Sequence, residues 1–217
     1  MMSLANATRH LGHPWALMGS GREVANGIRI KIWPCCGGTH GANTAITQLL
    51  KKHPIKAEEV ERVDIVTTQE PSCMAPNLRW PKSGLQGKFS SWFTVASLIV
   101  DGGKLDLSSF TDEAAARPAV QDMLKRVSIV QDPEHVGRPH RARGGSHWLD
   151  LTVTLKNGER LSVPRVEANN ARGDTYGWET KEAVFDKFRM LAGSVLKPGQ
   201  VDSALNAIME MEKAGSV

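Results

Sequence analysis

Nothing in this 217-residue sequence approaches the ~18 consecutive apolar residues that a membrane-spanning helix needs. The opening "MMSLANATRHLGHPW" lacks the charged-then-apolar profile of a secretory signal, so no targeting segment and no membrane partner are expected. Cysteine is scarce. Three of them, an odd number, argue against a disulfide framework and for a reducing compartment, with the cytoplasm as the expected location. Charge of one sign never accumulates either: the net +4 contains no block of five or six like charges, and nucleic acid is not expected as a partner. The densest cationic piece, "GRPHRARGG" at 137–145, is flanked by turn formers and reads as a solvated connector. The sign of the net charge suits small polyanionic substrates equally well. Repeats and low-complexity tracts are missing too. What remains, 41% hydrophobic and 23% charged residues, is ordinary for a globular chain long enough to bury a core.

Periodicity divides the chain. Residues 1–26 have little apolar pattern and read as a leader or linker. "GIRIKIWP" then alternates, with Ile28, Ile30 and Ile32 on one side and Arg29, Lys31 and Trp33 on the other, until Pro34 stops the strand. From Thr39 the period becomes helical: Ala42, Ala45, Ile46, Leu49 and Leu50 form a stripe, Lys51 and Lys52 suit the negative end of the dipole, and Pro54 closes the helix. "VERVDIVTT" (60–68) is a strand, 71–88 a loop, and 89–103 a buried helix ended by Gly102 and Gly103. A helix follows over 113–126, then the strand "RVSIVQD". Two further strands flank Asn157-Gly158, which predicts a type I′ hairpin. The chain ends in two amphipathic helices. Val184, Phe185, Phe188, Leu191, Ala192 and Val195 form one stripe, and Val201, Ala204, Leu205, Ile208 and Met211 the other. This order predicts an α+β fold: a two-layer unit with a mostly antiparallel sheet packed on helices, plus the two C-terminal helices.

The chemistry concentrates in "KIWPCCGGTH" (31–40). As a metal site it is poor, because adjacent Cys35 and Cys36 lack the two-to-four-residue spacing of zinc loops and Cys73 stands alone. As a nucleophile, either cysteine near the helix start has a route to a lowered pKa, but no base and orienting group are evident. An anion cradle has more physics behind it. Gly37 and Gly38 allow close backbone approach, and the first amides of the helix are unpaired and partly positive. Lys31 and His40 flank them, and a histidine at a helix N-terminus tends to stay neutral. A plain strand-to-helix turn with a solvated Lys31 explains the same residues, and composition alone does not choose between the two.

Further stretches add a resemblance. "LGHPW", then "GIRIKIWPCCGGTHGANTAI", "GKFSSWFTVASLIVDGG", "VTLKNGER" and "ARGDTYGWETKEAVFDKFRMLAG" together resemble the MmgE/PrpD family, in register from about residue 11 onward. The resemblance implies an enzyme with no metal and no organic cofactor, built as a large helical domain followed by a smaller α/β lid. Its interdomain cleft would remove water or carbon dioxide from small di- and tricarboxylates, or move a proton on them. It divides this chain into a leader at 1–26, a lid at 27–170, and helices at 171–217 that would pack on a helical domain that this sequence lacks. Lys31 falls on a cleft-facing lysine and His40 on the Thr-His at the start of the lid helix, which makes these two the candidate catalytic residues. Substrate binding is expected from Lys31, Cys36, Gly37, Gly38, Thr39, His40 and Phe93. Cys36 stands where some decarboxylases carry a histidine, and Phe93 where "FSxxY" members carry a tyrosine.

The expected function is therefore the C-terminal part of a 2-methylcitrate dehydratase-like lyase or isomerase, inactive alone. Its expected partners are a carboxylate substrate, a helical domain or split polypeptide, and a second copy in a homo-oligomer. The alternative is a non-catalytic assembly module that keeps the lid fold.

Overall fold

β-Branched stretches supply four strands that pair into one sheet: β1 (Val60–Thr67), β2 (Val127–Gln131), β3 (Trp148–Leu155) and β4 (Arg160–Glu167), in the order β2-β1-β3-β4. The computed structural model describes residues 31–68, 76–135, 148–167 and 181–213. Only β1 and β2 run parallel; the β1–β3 and β3–β4 pairs are antiparallel. A parallel pair needs a long crossover, and the segment between β1 and β2 provides it with most of the helices. Helix α1 (His40–Lys52) precedes β1; the crossover carries the single turn α2 (Gly84–Gly87), α3 (Ser91–Val100), α4 (Asp112–Ala116) and α5 (Pro118–Arg126), and α6 (Lys181–Ala192) and α7 (Pro198–Met209) follow the sheet. The fold is α+β with a mostly antiparallel sheet, as the sequence predicts.

One face of the sheet meets the helices. α1 lies over β3 and β4, α3 packs beside α1 and against β2, and α5 covers β1 and β2. Along β3 the alternation is clean, with Leu149, Leu151, Val153 and Leu155 inward. β1 breaks it, because Val60 and Val63 are both buried; the register shifts between Val60 and Arg62, and this irregularity restores the inward direction. β4 does the same at Val163 and Val166, with Pro164, which has no N–H to donate, between them. The core joins Ile46 and Leu49 of α1, Phe93, Leu98 and Ile99 of α3, and Met123 and Leu124 of α5 to the inward strand residues.

Several boundaries differ from expectation. Residues 31–33 form no strand; a Cys35 N–H to Trp33 carbonyl bond of 2.8 Å curls the chain just where Pro34 ends the extended run. The first residues of that expected strand, 27–30, lie outside the described ones. Helix 113–126 is two helices, since Arg117 (φ −55°, ψ 127°) must be extended before Pro118. The hairpin is not type I′. Gly158 N–H bonds the Leu155 carbonyl at 2.9 Å, so Lys156 and Asn157 are the central turn residues and Gly158 (φ +88°) takes the left-handed position after them. The expected loop 71–88 contains a helical turn at α2.

Elsewhere the local signals hold. Ser90 caps α3 by accepting from the Phe93 N–H at 3.1 Å, and Gly103 N–H closes its far end on the Leu98 carbonyl at 2.7 Å. No helix among the described residues is long and apolar enough to cross a membrane.

α2 docks on the segment entering α4 with almost no clearance: a Cβ on Gly84 would stand 1.9 Å from the Phe110 carbonyl oxygen. Gly84→Ala should therefore cost ~2–3 kcal/mol in urea unfolding. Gly199→Ala, where a Cβ meets nothing within 4 Å, should leave stability near wild type; equal effects at the two positions would refute the close approach.

Candidate functional site

The chain reaches α1 through a 3₁₀ turn, Gly37–Thr39, so the helical run begins at Gly37. Helix geometry leaves the amides of Gly37 and Gly38 without an acceptor inside the run. A cluster beneath the turn pins it. Thr39 Oγ1 donates to the Cys36 carbonyl at 2.8 Å and lies 3.1 Å from Cys35 Sγ. Asn43, one helical turn on, donates to Thr39 Oγ1 at 3.3 Å and to Cys35 Sγ at 3.7 Å. From the other side, the Cys36 N–H bonds the Lys88 carbonyl at 2.8 Å, tying the turn to the approach to α3.

These contacts separate the two cysteines. Cys35 is buried, and burial pushes its thiol up to about 11 against the opposing pull of Thr39 and Asn43. A thiol held protonated at neutral pH is a poor nucleophile, so Cys35 acts as packing. Cys36 is half-buried and a free thiol. Among the described residues no group of three His, Cys, Asp or Glu side chains is placed to share a metal ion.

Above the turn the geometry is cationic. Lys31 is exposed, and its stem runs beside Gly37: a Cβ there would sit 3.8 Å from Lys31 Cε. His40 is only 1% exposed and meets the Trp33 ring edge-on, with centroids 5.1 Å apart. Burial, then the charges of Lys31 and Lys187, hold its pKa down at about 4, while the Trp33 backbone pulls the other way. His40 is thus a neutral imidazole at working pH.

The expected site residues therefore divide. Lys31, Cys36, Gly37, Gly38 and His40 gather at one turn. Thr39 belongs to it, but its hydroxyl faces the Cys35–Asn43 cluster. Phe93 departs from the expectation of a cleft-facing ring. It is fully buried, packed on Phe110 with centroids 6.0 Å apart and so close to Gly87 that a Cβ there would stand 2.8 Å from the ring. An aromatic without a hydroxyl has no polar end to bring to the surface, and the core takes it. Lys187 was missed by sequence reasoning. It comes from α6, and its ammonium donates to the Lys31 carbonyl. The only signal for it is a cation placed between Phe185 and Phe188 of the apolar stripe in "KEAVFDKFRMLA".

A separate surface hollow of about 440 Å³ is lined by Arg62, Arg79, Lys125 and Arg126. Its cations are largely engaged: Arg62 with Asp64, Lys125 and Arg126 with Asp122, and Arg126 also with the Ala57 and Val60 carbonyls. The turn at α1 remains the better candidate.

A family model described as the MmgE/PrpD C-terminal domain matches residues 33–212. The chain belongs to this family. Among its relatives, the cis-aconitate decarboxylase of Aspergillus terreus is 26% identical over 204 residues, covering 86% of this chain and 38% of that protein. The mouse cis-aconitate decarboxylase is 22% identical, covering 85% of this chain and 37% of its own length. The cis-aconitate decarboxylase-like protein oryM of Aspergillus oryzae is 25% identical over 97% of this chain and 41% of that protein. The chain thus spans about two fifths of the length of these relatives.

Two predictions follow from the burial at the turn. With its pKa lowered from 6.5 to about 4, His40 refuses a proton that the unfolded chain accepts between those values. Its contribution is full above pH ~6.5 and lost as pH falls toward 4, about 3 kcal/mol in all. In denaturation series across this window, His40→Gln should flatten the acid slope of stability; an unchanged slope would mean that the ring is not held neutral. Iodoacetamide should modify Cys36 in the native chain and reach Cys35 only on unfolding, read by peptide mass mapping. Equal native labelling of both would contradict the buried cluster.

Proposed function

We propose that the chain is the C-terminal portion of a cofactor-independent lyase or isomerase of small di- or tricarboxylates, with the turn at α1 receiving a substrate carboxylate. The observation that carries this is that the Lys31 side chain runs beside Gly37, in the turn whose first amides have no acceptor inside the helical run. Lys31 has no carboxylate partner among the described residues. Two amides at a helix start and one ammonium suit a carboxylate in charge and hydrogen-bond direction. The names of the relatives favour cis-aconitate as the first ligand to test over 2-methylcitrate.

Lys31 binds and orients the carboxylate. A group of pKa about 4 is a weak base at pH 7, so His40 is better suited to donate a hydrogen bond as neutral imidazole than to remove a proton. With Trp33 across its ring, it shapes the wall of the cradle. The remaining acid–base groups would come from a helical domain or partner polypeptide, as would the surface that covers the C-terminal helices.

Those helices also support the second reading, an assembly module. Val195, Ile208 and Met211 are 82%, 52% and 67% exposed, an apolar area that favours self-association.

The purified chain should not decarboxylate cis-aconitate but should bind it at low salt in calorimetry, and Lys31→Ala should weaken binding ~10-fold. Absence of binding, with a sedimenting oligomer, would favour the assembly reading. Turnover by the chain alone would show that its own residues suffice.

A further inference from the structure

Lys31 and Lys187 come to the same turn from opposite ends of the chain, 156 residues apart. Lys187 donates to the Lys31 carbonyl, and the charges of both lysines act on His40. Three described lysines are paired with carboxylates: Lys104 with Asp106, Lys125 with Asp122 and Lys213 with Glu210. Lys31 and Lys187 have none among the described residues, and Asp186, beside Lys187 in the sequence, pairs with Arg189 at 3.3 Å. Two cations brought to one turn raise its local positive potential and so favour an anion there.

We propose that Lys187 is a second cation of the carboxylate site, carried to it by α6. This rests on the reading above that the turn receives a carboxylate. Its consequence is that the C-terminal helices belong to the binding site as well as to the packing. Val184, Phe185 and Phe188 are half-buried along α6, and that packing sets where the Lys187 ammonium stands. A carboxylate bound by both lysines would hold α6 against the turn.

Lysine footprinting tests this in the unmodified chain. With acetic anhydride and millimolar cis-aconitate as the probe, Lys31 and Lys187 should both acetylate more slowly than without it, while Lys104 and Lys125 keep their rates. Protection of Lys31 with no change at Lys187 would overturn this inference and leave the carboxylate site standing. Protection of neither would overturn the site itself. In calorimetry, Lys187→Gln, which keeps a donor for the Lys31 carbonyl but removes the charge, should weaken cis-aconitate binding ~5-fold and reduce its salt dependence. Lys187→Arg should restore both. Equal affinity of the Gln and Arg variants would mean that Lys187 serves only to hold the backbone.

Discussion

The hydrogen bond from the Cys36 amide to the Lys88 carbonyl holds together two parts of the fold that the sequence places far apart. On one side lies the turn into α1, and on the other the residues that cap and begin α3. Lys88 is in reach because Gly87 lets the Phe93 ring lie where any side chain would collide. Ser90 caps α3 immediately afterwards, so the helix start is fixed and the carbonyl before it aims at Cys36. From below, the Cys35–Thr39–Asn43 cluster pins the same turn at three side chains. The Thr39 and Asn43 side chains thus hold the turn from inside, while Gly37 stays exposed at its surface. In the proposed reading such preorganisation would lower the entropy cost of receiving a carboxylate.

That arrangement also explains the two adjacent cysteines. They share a backbone turn but not an environment: one faces the hydrophobic layer over the sheet, the other the surface. Burial raises Cys35 and removes it from chemistry, while its sulfur accepts from Asn43 and keeps the turn shut. The histidine beside them follows the same physics with the opposite sign, since burial disfavours its charged form. Burial therefore leaves the lysines as the ionised groups at the turn and explains its net cationic character.

Much of this was legible in the sequence because it is local. The α1 stripe of Ala42, Ala45, Ile46 and Leu49 marks a buried face, and the period-2 alternation of β3 marks a half-buried strand. Glycines with positive φ at 102 and 103 end α3 where predicted. The failures are where a neighbour in space decides. Alternation in 27–33 looks like a strand, yet its described part, 31–33, forms none. The bulges of β1 and β4 are invisible until partner registers are known, and the turn at Gly158 depends on which carbonyl its amide meets. Phe93 occupies a motif position, but whether its ring faces a cleft or a core depends on Gly87 and Phe110. Lys187 reaches the turn only through the packing of α6, which no local pattern encodes.

A lysine without a carboxylate partner, Lys187, and several exposed apolar side chains lie together in the C-terminal part of the chain. α6 brings Lys187 to the turn. The exposed residues Val195, Ile208 and Met211 follow it, on the link to α7 and along that helix and its end. In the proposed reading one arrangement uses both: an anion bound by the two lysines and a covering surface over the apolar side chains. The two also become coupled. A surface that orders α6 and α7 positions Lys187 before ligand arrives, and ligand that holds Lys187 orders the face that the surface must cover. Linkage requires each to favour the other equally. A carboxylate site that draws a cation from the C-terminal helices is therefore, by its construction, sensitive to whatever packs on them.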